Sequence, residues 1–162
     1  MSENCNPFSE IEFIECQEYA DRRSKLNIKD NRARSEFLVD NRKKNFLVKL
    51  KVDDCLIKTS DTRKCDFLIL DCDNKIAYFI ELKGKNLGDA INQIMSTIQE
   101  LAPKLKHFQF RCRIVQTGVN GTTQPKYISK LVTYLKEKHK LNSNSKTEDL
   151  IKIKSREHTE II

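Results

Sequence analysis

The amino-acid sequence predicts an α/β (α+β) domain in which helices flank a mixed central β-sheet. Three observations carry that prediction. Residues 65–70 and 76–83 are almost continuous apolar runs split by a polar turn, the pattern of central strands covered on both faces. Ahead of them, Phe46, Val48, Leu50 and Val52 alternate with Leu47, Lys49 and Lys51, the period of two of a half-buried strand. After them, Leu87, Ala90, Ile91, Ile94, Met95, Ile98 and Leu101 recur at helical spacing, and residues 108–115 return to alternation. A strand–helix–strand crossover of this kind implies a parallel pair inside the sheet.

The other elements follow from local signals. Ser9 with Glu12 three residues on has the form of a capping box, so a first helix is expected over about 9–22, with Ile11, Phe13, Ile14 and Tyr19 toward a core. Residues 32–38 are read as a second helical stretch, and 41–45 as a basic turn. Asp53 and Asp54 interrupt the strand at 46–52, and 55–57 continue it as a bulge or a hairpin partner. Pro103 ends the long helix. Residues 118–124 form a loop, and Pro125 opens a helix with Ile128, Leu131, Val132 and Leu135 on one face. A last short strand is expected at 149–154, a polar loop at 142–148 and fraying at 1–8. Residues 1–162 are expected to make one domain.

Composition bounds the function. Hydrophobic residues are 38% and charged residues 33%, as in a soluble globular chain. No apolar run approaches the roughly 20 residues of a membrane helix. The opening MSENCNPFSEIEFIEC is acidic and polar, without the basic start and apolar stretch of a secretory signal, so a cytoplasmic protein is expected. The six cysteines form no CxxC pair and are read as reduced, small core residues. The net charge of +7 and pI near 9.1 favour polyanions, chiefly nucleic acid.

Two central strands each carry a carboxylate among apolar residues. Asp66 stands at the start of one, and Glu81 near the end of the next, with Lys83 two positions on. Residues two apart share a face of a strand, so Glu81 and Lys83 project together while Leu82 enters the core. A hairpin through the 71–75 turn brings Asp66 beside Glu81. Two adjacent carboxylates repel unless a cation lies between them, and Mg²⁺ suits such a pair together with phosphate oxygens.

This pattern, Cys65-Asp66-Phe67-Leu68-Ile69-Leu70 followed by Glu81-Leu82-Lys83-Gly84, resembles the PD-(D/E)xK nuclease superfamily, with Cys65 where the motif has Pro. The resemblance covers roughly residues 46–116 and implies a restriction-endonuclease-like αβββαβ core. It implies a metal-dependent nuclease cutting DNA rather than RNA, in prokaryotic repair, recombination or defence. Asp66 and Glu81 would be metal ligands for Mg²⁺, with Mn²⁺ as a substitute. The backbone carbonyl of Leu82 would be a further ligand, and Lys83 the catalytic lysine. Gln93, ten residues after Lys83, resembles a glutamine of RecB-type members. Glu36 or Glu12 are candidates for an acidic residue on the first helices, and Asp53 for a further ligand. The alternative is a non-catalytic nucleic-acid-binding or assembly subunit that retains the fold.

Around this centre, Arg42, Lys43, Lys44 and Lys85 are the expected nucleic-acid contacts, with Lys104, Lys106, Arg111 and Arg113 as further basic groove residues. Lys126, Lys130, Lys136, Lys138 and Lys140 are read as the wet face of the last helix, and His107, His139 and His158 as surface residues. So short a chain has little room for a recognition domain, which suggests a homodimer or a targeting partner protein.

Overall fold

The computed structural model describes residues 3–29, 34–60, 63–82, 86–117, 125–139 and 146–162. The three expected central strands form an antiparallel meander: β4 (Leu47–Lys51), β5 (Phe67–Asp71) and β6 (Ile76–Glu81). Helix α1 (Leu87–Leu101) then crosses over to β7 (Gln109–Gln116), which pairs parallel to β6. Helix α2 (Pro125–His139), a short α3 (Thr147–Leu150) and β8 (Ile151–Ser155) follow, with β8 parallel to β7. An edge strand β1 (Gln17–Asp21) completes a six-stranded sheet in the order β1-β4-β5-β6-β7-β8. The class is thus α+β, with two mixed sheets and few helices.

The first third of the chain departs from expectation. The helix expected over 9–22 is a 3-10 turn at Ile11–Cys16 followed by β1. The Ser9–Glu12 spelling of a cap is overridden because the stretch can pair with the open edge of β4; Ala20 opposes Val48 there. Ile11 and Ile14, expected toward the core, are 87% and 61% exposed. In place of a helical stretch at 32–38 the chain forms β3 (Glu36–Asp40), and residues 30–33 lie outside the described ones. β3 pairs with β2 (Lys25–Lys29) and with the C-terminal β9 (Glu157–Ile161) in a second, three-stranded sheet. Residues 3–8 do not fray, since Phe8 is buried and Cys5 is bonded to Cys72. Residues 147 and 148, expected in the loop, and 149 and 150, expected to open the last strand, form α3 instead, and 142–145 lie outside the described residues.

The strict alternation along β6 explains the layering. Ala77 and Phe79 pack with Ile91, Ile94 and Ile98 of α1, while Tyr78, Ile80 and Leu82 pack with Leu26, Ile28, Phe37 and Val39 of the small sheet. Both faces are therefore dry, as the unbroken apolar run requires. Asn86 caps α1 by accepting from the backbone N–H of Asp89 at 3.3 Å. The three isoleucines sit in a helix despite modest propensity, because burying each contributes about 1.5–3 kcal/mol.

Four cysteines are not free thiols. Cys5–Cys72 and Cys16–Cys55 are disulfides, and they tie the N-terminal segment to the turns after β5 and β4. Cys65 and Cys112 are free and buried, as expected of core residues. Sequence spacing could not pair them, since partners 67 and 39 residues apart meet only through the tertiary fold.

Candidate functional site

The β5/β6 ladder ends where Phe67 pairs with Ile80, and Asp66 stands in a bend just before β5, beside the end of β6 that carries Glu81. The N–H of Asp66 donates to the carbonyl of Ile80 at 3.1 Å, one residue out of the ladder's register, while the Asp66 carbonyl accepts from the N–H of Val52 at 3.1 Å. Both carboxylates are buried, Asp66 at 8% and Glu81 at 1% exposure. By alternation from Phe79, Glu81 lies on the helix-covered face. Leu82 is fully buried against the small sheet, as expected.

The surroundings hold this end of the hairpin. Leu82 donates its N–H to Asp66 Oδ2 at 2.8 Å, and the Ser35 hydroxyl donates to the Leu82 carbonyl. Cys65 donates its N–H to Thr97 Oγ1 at 2.8 Å, and that hydroxyl donates to the Gln93 carbonyl. The Gln93 side-chain amide donates to the Lys64 carbonyl at 3.4 Å, so Gln93 faces the same strand entry as Asp66. The Cys65 thiol is pushed well up, first by burial and then by the negative charge of Glu81, with Asp66 adding to it.

Other expected residues lie elsewhere. Asp53 pairs with the Lys64 ammonium at 3.5 Å, which also contacts Asp54 and donates to the carbonyls of Ile57 and Thr59. Glu36 begins β3 and pairs with Lys29 at 3.4 Å. Glu12 is exposed on the 3-10 turn. Lys83 and Lys85 lie outside the described residues. Ser35, Lys64 and Thr97 were not singled out from the sequence. Lys64 and Thr97 had signals, one adjoining Cys65-Asp66 and the other one helical turn after Gln93; Ser35 had none.

The basic turn is at the wrong end of the sheet. Leu47, just after it, pairs with Asp71, five residues along β5 from Asp66 and so about 17 Å away. Asn41 and Asn45 are buried there, with the Asn45 amide on Asp71, and Arg42 is paired to Asp40 at 2.9 Å. Arg42, Lys43 and Lys44 therefore do not flank the carboxylates. Lys104 pairs with Glu10 at the far end of α1. Arg113 is 1% exposed and held bidentate by Glu160, with His158 on the same carboxylate at 2.8 Å, so neither is a surface residue.

Comparison with protein-family models, with curated proteins and with solved structures gave no match in any of the three. No helix among the described residues is long and apolar enough to cross a membrane. Among those residues no group of three or more His, Cys, Asp or Glu that could hold a metal occurs.

Proposed function

We propose that the chain is a small Mg²⁺-dependent nuclease that hydrolyses phosphodiester bonds of DNA, built on a PD-(D/E)xK-type centre. The observation that carries this reading is the placing of two buried carboxylates together, Asp66 in the bend before β5 and Glu81 at the end of β6, with Asp66 Oδ2 accepting from the Leu82 N–H at 2.8 Å. Ligands of open α/β sheets collect at that end, beyond the carboxyl ends of the parallel strands. The β4-β5-β6 meander and the α1 crossover to parallel β7 fit the expected core; the leading helix has no counterpart among the described residues.

The donor set suits the ion. Asp66 and Glu81 are hard oxygen donors, and Mg²⁺ uses one or two protein carboxylates and fills its sphere with water and phosphate oxygens, so a third carboxylate is not required. The Leu82 carbonyl keeps a second lone pair beside the one that Ser35 uses. When bound, the ion supplies charge on the phosphate and a water of lowered pKa. The protein's part is to fix donors. The Leu82 N–H on Asp66 Oδ2 sets that carboxylate's orientation, and the Thr97–Cys65 contact fixes the strand entry. Lys83 is the proposed group that orients the water or stabilises phosphate charge.

A DNA substrate and a cytoplasmic setting go together in this reading, with repair, recombination or defence in a prokaryote as the context and a second copy or a targeting protein choosing the site. The two disulfides weigh against the cytoplasmic part of this reading, because such a compartment keeps thiols reduced. One observation favours a second reading, a DNA-binding subunit that keeps the fold without cutting: Asp66 and the Leu82 carbonyl are both tied into the fold itself. The test is cleavage of plasmid, single-stranded and branched DNA with Mg²⁺ or Mn²⁺, using Asp66→Ala and Lys83→Ala controls. Metal-dependent cutting lost in both variants supports the nuclease. Tight, salt-sensitive binding without cutting selects the second reading.

A further inference from the structure

The solvent face of α2 carries a strip of basic charge. Residues 125–139 hold four lysines against one glutamate, within a chain whose net charge is +7. Lys126, Ser129, Lys130, Thr133 and Lys136 are all exposed. At 100° per residue they share one face of the helix, and exposed Glu137 lies on it too, so the strip is three lysines with one glutamate.

Two features separate this strip from an ordinary wet face. The first is position. β6, β7 and β8 are parallel, so the start of α2 lies at the same end of the sheet as Asp66 and Glu81. Tyr127 packs directly on Gly88 in the first turn of α1, where an added Cβ would come within 2.9 Å of its ring. The second is compensation. At the opposite end Arg22 is neutralised by Asp73, Arg42 by Asp40 and Lys104 by Glu10, which leaves Lys43 and Lys44 as the exposed cations of the 41–45 turn without a carboxylate partner among the described residues. Among the described residues no carboxylate pairs with Lys126, Lys130 or Lys136, and Lys130 contacts only a neutral amide, Asn92 Oδ1, at 3.2 Å.

We infer that this face of α2 is the nucleic-acid cradle, with Lys126, Lys130 and Lys136 following the phosphates of one DNA strand toward the carboxylate pair, in place of the 41–45 turn. From Lys126 to Lys136 the helix rises about 15 Å, close to four base steps of about 3.4 Å along one strand. Lysine acts there as a point charge on phosphate, without reading sequence. The choice of DNA as the ligand rests on the nuclease reading, but the contact needs no metal and no cutting.

The experiment measures anisotropy of a fluorescein-labelled duplex in EDTA over a series of NaCl concentrations. It compares the intact chain with Lys126→Gln/Lys130→Gln and with Arg42→Gln/Lys43→Gln. Each lost phosphate contact weakens binding roughly eightfold near 0.1 M salt and lowers the salt slope by about 1. The α2 pair is therefore expected to lose roughly fiftyfold with a slope smaller by about 2, and the turn pair to bind as the parent does. Equal losses in both pairs, or a loss only in the turn pair, would overturn the inference. If the α2 pair binds as tightly as the parent while the parent still cuts DNA with Mg²⁺, this inference fails alone. If the parent neither binds in EDTA nor cuts with metal, both readings fail.

Discussion

Glu160→Gln is expected to destabilise the protein by about 3–5 kcal/mol at neutral pH, because it leaves a guanidinium buried without its anion. Glu160 is 4% and Arg113 is 1% exposed. Arg113 Nε and Nη2 each donate to the carboxylate at 2.9 Å, and Nη1 donates to the carbonyls of Cys112 and Asp149. The pair joins β9 of the small sheet to β7 of the large one, so its loss loosens the packing of the two layers. The titration of Glu160 gives a second magnitude. Burial alone would raise its pKa, but hydrogen bonds from His158 and then Arg113, with the charges of Arg113 and Lys152, outweigh burial and lower it from 4.5 to about 2. A displacement of that size is worth roughly 3 kcal/mol. The folded value lies below the unfolded one, so this stabilisation is complete above the unfolded value of 4.5 and is lost as pH falls toward 2. Urea unfolding of parent and variant across that window reads it out. The gap between them should be wide at neutral pH and shrink on acidification. Arg113→Met/Glu160→Leu should recover much of the loss, since apolar replacement removes both desolvated charges. A Glu160→Gln variant as stable as the parent, or a gap that does not change with pH, would refute the reasoning.

Reducing the disulfides should cost about 4 kcal/mol each, from the chain entropy regained by loops of 39 and 67 residues; thermal unfolding with and without a dithiol, and with Cys16→Ser/Cys55→Ser, checks this against an expectation of a clear drop in Tm. In the native oxidised protein Cys65 and Cys112 should resist iodoacetamide, because burial pushes the first thiol well up and the second to about 12; mass spectrometry finding either one labelled before unfolding would contradict their burial.

The centre of the fold was legible because its signals are local and mutually consistent. The two apolar runs, the turn at 71–75 and the helical period after Asn86 each have one solution, and the β5/β6 register that brings Asp66 near Glu81 follows from the length of that turn. The front of the chain was not legible, because the cap at Ser9 competes with strand pairing that only β4 provides. The small sheet joins residues 36–40 to 157–161, a separation over which no periodicity can speak. The same limit hid Ser35 against Leu82 and the burial of Arg113 by Glu160. The 41–45 turn misled because its charge is visible in sequence while its distance from Asp66 is not.

The central claim is the Asp66–Glu81 pair as a metal-and-phosphate centre. Cleavage of supercoiled plasmid by the purified chain in Mg²⁺ or Mn²⁺, run beside Asp66→Asn, measures it most directly. The account predicts nicking or linearisation that needs the divalent ion, is abolished by EDTA, and is absent in the folded Asp66→Asn variant. Cutting that persists in Asp66→Asn, or no cutting on any DNA form with either metal by a folded parent, would contradict it.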